Sequence, residues 1–141
     1  MSRTNLSMSI SADGYVAGPD QSADNPLGVG GPTLHRWHIG PDAEHPVNHQ
    51  VMSDMMDGMG ATIMGRNMFG PIRGDWGDSD WRGWWGDEPP YHCPVFVLTH
   101  FPHEPIEMAG GTTFHFVTDG IESAYRQAVD AAGGRSISIA G

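Results

Sequence analysis

The stretch ATIMGRNMFGP, residues 61–71, decides the fold of this chain. Ala61–Met64 is a short apolar run that predicts a buried strand, and Gly65 predicts a turn after it. Asn67 is placed to cap a helix that begins immediately after the turn. Arg66 then stands where a strand passes into a helix. It is either a structural arginine, which the segment alone favours, or a residue that binds an anion.

Strand patterns recur on both sides of this stretch. Leu6–Ile10 alternates apolar and small polar residues, and Pro94–Leu98 is a continuous apolar run of the kind buried in parallel sheets. Phe114–Val117 and Ser136–Ile139 predict two further strands. Helical patterns separate these strands, so the sequence predicts an α/β fold with a central, mostly parallel sheet and right-handed crossovers.

Two helices are predicted between the strands. Residues 44–59 carry apolar side chains every three or four positions, which predicts a helix that Gly60 ends and whose methionine-rich stripe packs in the core. Asp119 and Glu122 have the spacing of a capping box for the last helix. The inner stripe of that helix is predicted to contain Tyr125, Ala128, Val129 and Ala132.

Residues 18–42 and 70–93 are predicted to be long irregular segments, because they are rich in Gly, Pro, Asp and Asn. The second segment contains Trp76, Trp81, Trp84 and Trp85. These rings could form a carbohydrate-binding platform or a lid over a ring-shaped substrate. The interpretation we favour is that they attach the loop to the core, since tryptophan buries a large area.

Composition and charge restrict the function. The length of 141 residues suits one domain, residues 1–141. Seven arginines and no lysine against 17 acidic residues give a net charge of −10, which argues against nucleic-acid binding. We expect no membrane span and no signal peptide, and the single Cys93 suits a reducing cytoplasm.

Eight histidines raise the question of a metal site. His35 and His38 are spaced by three residues and His45 and His49 by four, but nothing in the sequence joins the pairs into a set of three or four ligands. We therefore expect no metal. Cys93 has no evident His and Asp partners, so no nucleophile is predicted either.

The segments LSMSISADGYVAG, IMGRNMFGP, PVFVLTH, TTFHFVTDGIESA and SISIAG occur in this order along the chain. Together they resemble the dihydrofolate reductase-like superfamily, and in particular the reductase domain of bacterial riboflavin biosynthesis and its uncharacterised relatives. The resemblance implies a three-layer α/β/α fold and NADPH as the cofactor.

The resemblance also implies cofactor-binding positions. The Gly65-Arg66 pair corresponds to the family segment at the adenosine end of NADPH, where Arg66 would pair with the 2′-phosphate. Asn67 is followed by Met68 where the family has a threonine that helps to bind pyrophosphate. The remaining implied positions lie beside the nicotinamide, along the adenosine phosphate and at a family glycine pair: Val16, Ala17, Leu98, Thr99, His100 and Gly141.

The implied activity is hydride transfer to a C=N or C=O group of a small, heterocyclic substrate. No acid aligns with the protonating carboxylate of true dihydrofolate reductases, so folate reduction is not expected and no catalytic residue is assigned. Asp20, Asp24 and a bound water stay open as proton donors. A non-catalytic protein of the same fold that binds a nucleotide or another small ligand is the alternative, and a homodimer stays open.

The family topology predicts the order three, four, two, five, one for the first five strands. The chain ends at Ala140-Gly141, directly after the predicted strand Ser136–Ile139. We therefore expect a domain whose C-terminal strands are missing. The first strand would then be an exposed edge, and we expect it to make the chain unstable or prone to association.

Overall fold

The computed structural model describes residues 3–141. Contacts between residues divide them into two units, one made of residues 3–7 and 58–141 and the other of residues 8–57. Each unit is described by itself. The prediction of a single domain over residues 1–141 stays a prediction.

The first unit is built on a six-stranded sheet. Its strands are β1 (Thr4–Ser7), β2 (Met59–Gly65), β3 (Pro94–Leu98), β4 (Ile106–Glu107), β5 (Thr113–Val117) and β6 (Ser136–Ala140). The order across the sheet is β1-β6-β2-β3-β5-β4. All neighbours are parallel except β4 and β5, which are antiparallel. The predicted α/β class with a mostly parallel sheet is confirmed.

The predicted strand order is wrong at one place. The prediction placed the strand 114–117 between the strand 61–64 and the strand 94–98. In the structure, β3 lies between β2 and β5 instead. Val95, Phe96 and Val97 of β3 are all buried, as a central strand requires. β5 alternates with less buried positions such as His115, and it pairs on its outer side with the two-residue β4.

One face of the sheet is covered by a helix. The helix α3 (Ile121–Ala132) packs on β2, β3 and β6, and the core on this face contains Ala61, Ile63, Phe96 and Ile137. The buried residues of α3 are small: Ser123, Ala124, Ala128 and Ala132. Two predictions about α3 are therefore wrong, because Tyr125 and Val129 lie on its exposed face, and the residue before its first turn is Gly120, without a side-chain cap from Asp119.

The other face is covered by irregular chain. A single helical turn, α2 (Arg66–Phe69), and the segment 70–93 pack over Met64, Val95, Val97 and Phe114. The predicted cap at Asn67 is wrong, because Asn67 lies inside α2 and no side chain caps the turn. No helix forms the second layer within this unit, so the predicted α/β/α layering is not seen here. At one side of the sheet, β1 pairs with β6 and has no second partner strand among residues 3–141, which agrees with the predicted edge.

The second unit contains little regular structure. Its helix α1 (Pro46–Met56) is shorter than predicted, and it ends well before Gly60, which lies within β2. None of the described residues of α1 is buried; Val47, Val51 and Met55 are all exposed. The predicted role of this stripe in a core is therefore wrong. The long irregular segment predicted for residues 18–42 is confirmed apart from short 3-10 turns. Among residues 3–141, no helix has the length and apolar character that a membrane span requires.

His115 makes the stability of the first unit sensitive to pH. Its ring stacks on Phe96 at 5.2 Å, and burial lowers the pKa of His115 below its ordinary value of 6.5. The unfolded chain therefore takes up this proton at a higher pH than the folded chain does, so stability is lost as pH falls below about 6.5. We expect His115→Phe to reduce the stability difference between pH 7 and pH 5. Urea unfolding at both pH values measures it, and equal losses in variant and parent would contradict the assignment.

Candidate functional site

A cleft of about 420 Å³ opens at the carboxyl ends of β2, β3 and β5. In open α/β sheets, ligands bind outside the carboxyl ends of parallel strands, so this is the position where a site is expected. Its lining comes from the turn after β2, the loops after β3 and β5, and the start of α3. The lining residues are Gly65, Arg66, Asn67, Arg73, Leu98, Thr99, His100, Phe101, Val117, Thr118 and Gly120.

Arg66 is held by two other parts of the chain. Its Nε donates to the carbonyl of Ile72 at 2.8 Å, and its Nη2 donates to the carbonyl of Gly74 at 3.2 Å. Its Nη1 donates to Thr99 Oγ1 at 2.9 Å. The guanidinium carbon lies over the Trp76 ring, 3.1 Å from the ring centre. The Arg66 side chain therefore links the end of β2, the segment 72–76 and the end of β3.

The Thr99 hydroxyl is fully engaged within the protein. It accepts from Arg66 Nη1 and from the backbone N–H of Phe101, the latter at 3.1 Å, and it lies 3.3 Å from the carbonyl of Phe101 as a donor. A hydroxyl has one proton to donate and two lone pairs to accept with, so no hydrogen-bonding capacity is left for a ligand. Thr99 shapes the cleft by fixing its neighbours.

The buried ring of Trp76 supports the guanidinium of Arg66. It is 7% exposed, and its Nε1 donates to the carbonyl of Phe101 at 3.0 Å. Its ring meets Phe69 and Phe116 edge to face, with centre-to-centre distances of 5.9 and 4.9 Å. A planar cation over the face of a packed indole is stabilised by the ring quadrupole. The Trp76 ring therefore packs on the face of the Arg66 guanidinium, while the hydrogen bonds hold its nitrogen atoms.

The cleft carries positive charge that no carboxylate neutralises. Arg73 also lines it, and burial together with the neighbouring charge of Arg73 lowers the pKa of Arg66. An arginine stays protonated in spite of such a shift. The one ion pair within residues 3–141 joins Arg36 and Asp42, in the other unit. In a chain of net charge −10, two arginines that line one cleft without an ion-pair partner give this cleft a locally positive potential.

The start of α3 adds to this potential. Gly120 precedes the first turn of this twelve-residue helix and lines the cleft, and no side chain caps the turn. The uncapped N–H groups and the helix dipole favour an anion at this end. Glu122, although in the first turn, does not line the cleft.

The structure brings most of the implied cofactor-binding positions together. Six of the nine line this cleft, and Gly141 lies exposed after β6 and does not line it; the six are Gly65, Arg66, Asn67, Leu98, Thr99 and His100. Val16 and Ala17 belong to the other unit. Arg73 and Gly120 were not predicted. No feature of the sequence distinguishes Arg73 from the other six arginines.

Residues 8–57 contain a second cleft, of about 740 Å³, which Ala17, Tyr15, Asp13 and Leu34 help to line. Its wall is fixed by the main chain, because Gly18 N donates to Leu27 O at 2.8 Å. A Cβ at Gly18 would overlap the carbonyl group of Val29, so only glycine fits there.

The tryptophan segment is attached to the core, as interpreted from the sequence. Trp81 Nε1 donates to the carbonyl of Phe69 at 2.9 Å, and Trp85 packs on Phe114 with a ring separation of 5.9 Å. Together with Trp76, these rings point inward into the apolar cluster. A carbohydrate platform would require exposed, coplanar rings, which this arrangement does not provide.

The histidines do not form a metal-binding group. Among residues 3–141, no three His, Cys, Asp or Glu side chains converge on one point. His35 and His38 touch edge to face at 5.1 Å, and burial lowers the pKa of both.

The sequence was also compared with known proteins. No protein-family model matches the chain, and no curated protein matches it at a significant level.

Proposed function

We propose that this protein is an NADPH-dependent reductase with a dihydrofolate reductase-like fold, in which the cleft at the ends of β2, β3 and β5 binds the phosphate-bearing adenosine end of the cofactor. One observation carries the proposal: Arg66 and Arg73 line the same cleft at the carboxyl ends of parallel strands, and no carboxylate is among the residues that line it. The resemblance of IMGRNMFGP to the family's cofactor segment supports the choice of NADPH.

The residues present fit a phosphate. An arginine has five N–H groups, and Arg66 uses three of them on the protein, which leaves two for a ligand. Arg73, His100 and the first turn of α3 supply further positive charge or donors. The volume of about 420 Å³ is within the range of small-molecule sites.

When bound, NADPH would supply the hydride for a C=N or C=O group of a small substrate. The chain itself would bind and orient the cofactor through the arginines and the loops that they hold. Asp20 and Asp24 are exposed in the other unit, and neither lines its cleft, so the structure favours neither of them as the proton donor.

A non-catalytic binding protein is the second candidate, and the lining of the cleft favours it in one respect. The lining contains no carboxylate and no thiol, and His100 is its one imidazole. Such a lining can bind an anion but offers little acid–base chemistry. Turnover therefore has to come from residues outside this cleft, or not at all.

Titration with NADPH and NADH tests the proposed function. We expect NADPH to bind at least about tenfold more tightly, because the additional phosphate meets unpaired positive charge. Quenching of tryptophan fluorescence reports binding, since Trp76 lies beneath Arg66. Equal affinity for the two cofactors, or none for either, would contradict the cofactor assignment.

A turnover screen separates the two candidates. It follows the oxidation of NADPH at 340 nm with a broad set of carbonyl and imine compounds. Oxidation with any of them supports the reductase. Tight binding of NADPH without oxidation across the whole set would favour the binding protein.

A further inference from the structure

Arg66 donates hydrogen bonds to the backbone on both sides of Arg73. Its Nε binds the carbonyl of Ile72 and its Nη2 binds the carbonyl of Gly74, at 2.8 and 3.2 Å. These are the two residues that flank Arg73. A guanidinium has a rigid, planar arrangement of donors, so these two bonds define the direction of the backbone between them. The position of Arg73 therefore depends directly on Arg66.

The remaining contacts of Arg66 keep it in place. Thr99 holds Nη1, and the Trp76 ring supports the plane from below. Three of the five N–H groups of Arg66 are engaged in this way, so at most two of them are available to a phosphate. Any movement of Arg66 toward the cleft would stretch its bonds to the carbonyls of Ile72 and Gly74, which is unfavourable because these carbonyls would lose a charged donor.

Arg73 has the opposite properties. It is exposed, it lines the cleft, and its side chain makes no hydrogen bond or ion pair within the described part of the chain. All five of its N–H groups are free for a ligand. Of the two arginines, it is the one whose whole guanidinium is available for a bidentate bond to a phosphate.

We infer that Arg73 is the residue that contacts the cofactor's 2′-phosphate and sets the preference for a phosphorylated nucleotide, while Arg66 is a positioning residue that holds the 72–74 segment so that Arg73 faces the cleft. This assignment rests on the proposed function of the cleft. It reverses the role that the family resemblance implies for Arg66, and it makes Thr99 a part of the support.

The test uses 2′,5′-ADP as the probe and the full chain as the protein. We expect Arg73→Gln to weaken binding about tenfold, and Arg73→Lys to lose less, because a single charge near the phosphate retains part of the attraction. Arg126→Gln is the matched control. It removes the same charge from an exposed position on α3 outside the cleft, and we expect less than a twofold change.

Arg66→Lys distinguishes positioning from contact. Lysine keeps the charge but cannot hold two carbonyls and a hydroxyl in one plane. We expect this variant to bind 2′,5′-ADP about tenfold more weakly and to exchange amide hydrogens of residues 70–77 at least about tenfold faster than the parent. Arg73→Gln should leave that exchange unchanged. Parent-like affinity of Arg66→Lys combined with faster exchange would overturn the positioning role.

Failure of the inference and failure of the proposed function give different results. A parent chain that binds 2′,5′-ADP while Arg73→Gln binds it equally well overturns the role of Arg73 and leaves the cleft as a phosphate site. A parent chain that binds neither 2′,5′-ADP nor NADPH overturns both.

Discussion

Phe69→Ala is expected to lower the free energy of unfolding of the first unit by about 3–5 kcal/mol, the cost of removing a fully buried phenylalanine. Phe69 is 0% exposed and ends α2. Its ring meets Phe114 at 5.0 Å and Phe116 at 5.2 Å, and it also touches Trp76. The variant would leave a cavity between the sheet and the tryptophan segment at the centre of this apolar cluster.

Urea denaturation followed by circular dichroism and tryptophan fluorescence measures this loss. Ile121→Ala is a suitable control, since Ile121 is 51% exposed and the substitution should change stability by no more than about 0.5 kcal/mol. A loss below about 1 kcal/mol for Phe69→Ala would show that the tryptophan segment is not part of the cooperative core. We also expect the variant to bind NADPH poorly, because Trp76 would lose the ring that supports it.

The strands were predictable because their local pattern and their burial agree. The run Pro94–Leu98 is apolar at every position, and β3 has the same bounds in the structure, in the interior of the sheet. The strands β2, β5 and β6 contain the predicted runs and extend them by one to three residues. The predicted first strand, Leu6–Ile10, is wrong in its bounds, because β1 is Thr4–Ser7. The order of β3 and β5 was missed, because it depends on which strand is buried on both sides and not on the pattern of one strand alone.

The faces of the helices were harder to predict. Periodicity identifies a helix, but the inner face of α3 is made of small residues, because this helix lies close to the sheet. At Gly60 in β2, a Cβ would come within 2.8 Å of the carbonyl of Ala132 and 2.9 Å of its Cα. Large side chains such as Tyr125 do not fit at this distance and lie outside. A ranking by hydrophobicity alone puts them inside.

The site was predictable to the extent that it follows the strand ends. Gly65-Arg66 and Leu98–His100 follow neighbouring parallel strands, so the sheet brings them together. Arg73 lies in an irregular segment whose path is set by tertiary hydrogen bonds to Arg66, and no local pattern contains that information. For the same reason, the sequence could not predict that the Thr99 hydroxyl is occupied by hydrogen bonds to Arg66 and Phe101.

Adding negative charge to the cleft is the most direct test of its electrostatic role. Asn67 and Thr118 both line the cleft and are exposed, so Asn67→Asp and Thr118→Asp should leave the core intact. A carboxylate about 7 Å from a bound phosphate, at an effective dielectric constant of about 20, opposes each unit of the phosphate charge by about 2.4 kcal/mol before salt screening. We expect about a tenfold loss of NADPH affinity for each substitution and about a hundredfold loss for the double variant.

The control for this variant keeps the net charge equal and changes its position. Gln50→Glu combined with Gln127→Glu also adds two negative charges to a chain of net charge −10, on exposed helical positions that do not line the cleft. If the overall charge of the protein governed binding, both double variants would lose affinity equally, and the local role of the cleft would be refuted. If the unpaired arginines govern it, the glutamate control binds NADPH within about threefold of the parent, whereas the aspartate variant binds NADPH and NADH with nearly the same weak affinity. Nearly equal affinities for NADPH and NADH in the aspartate variant are the more decisive result, because they require that the lost interaction be with the additional phosphate of NADPH.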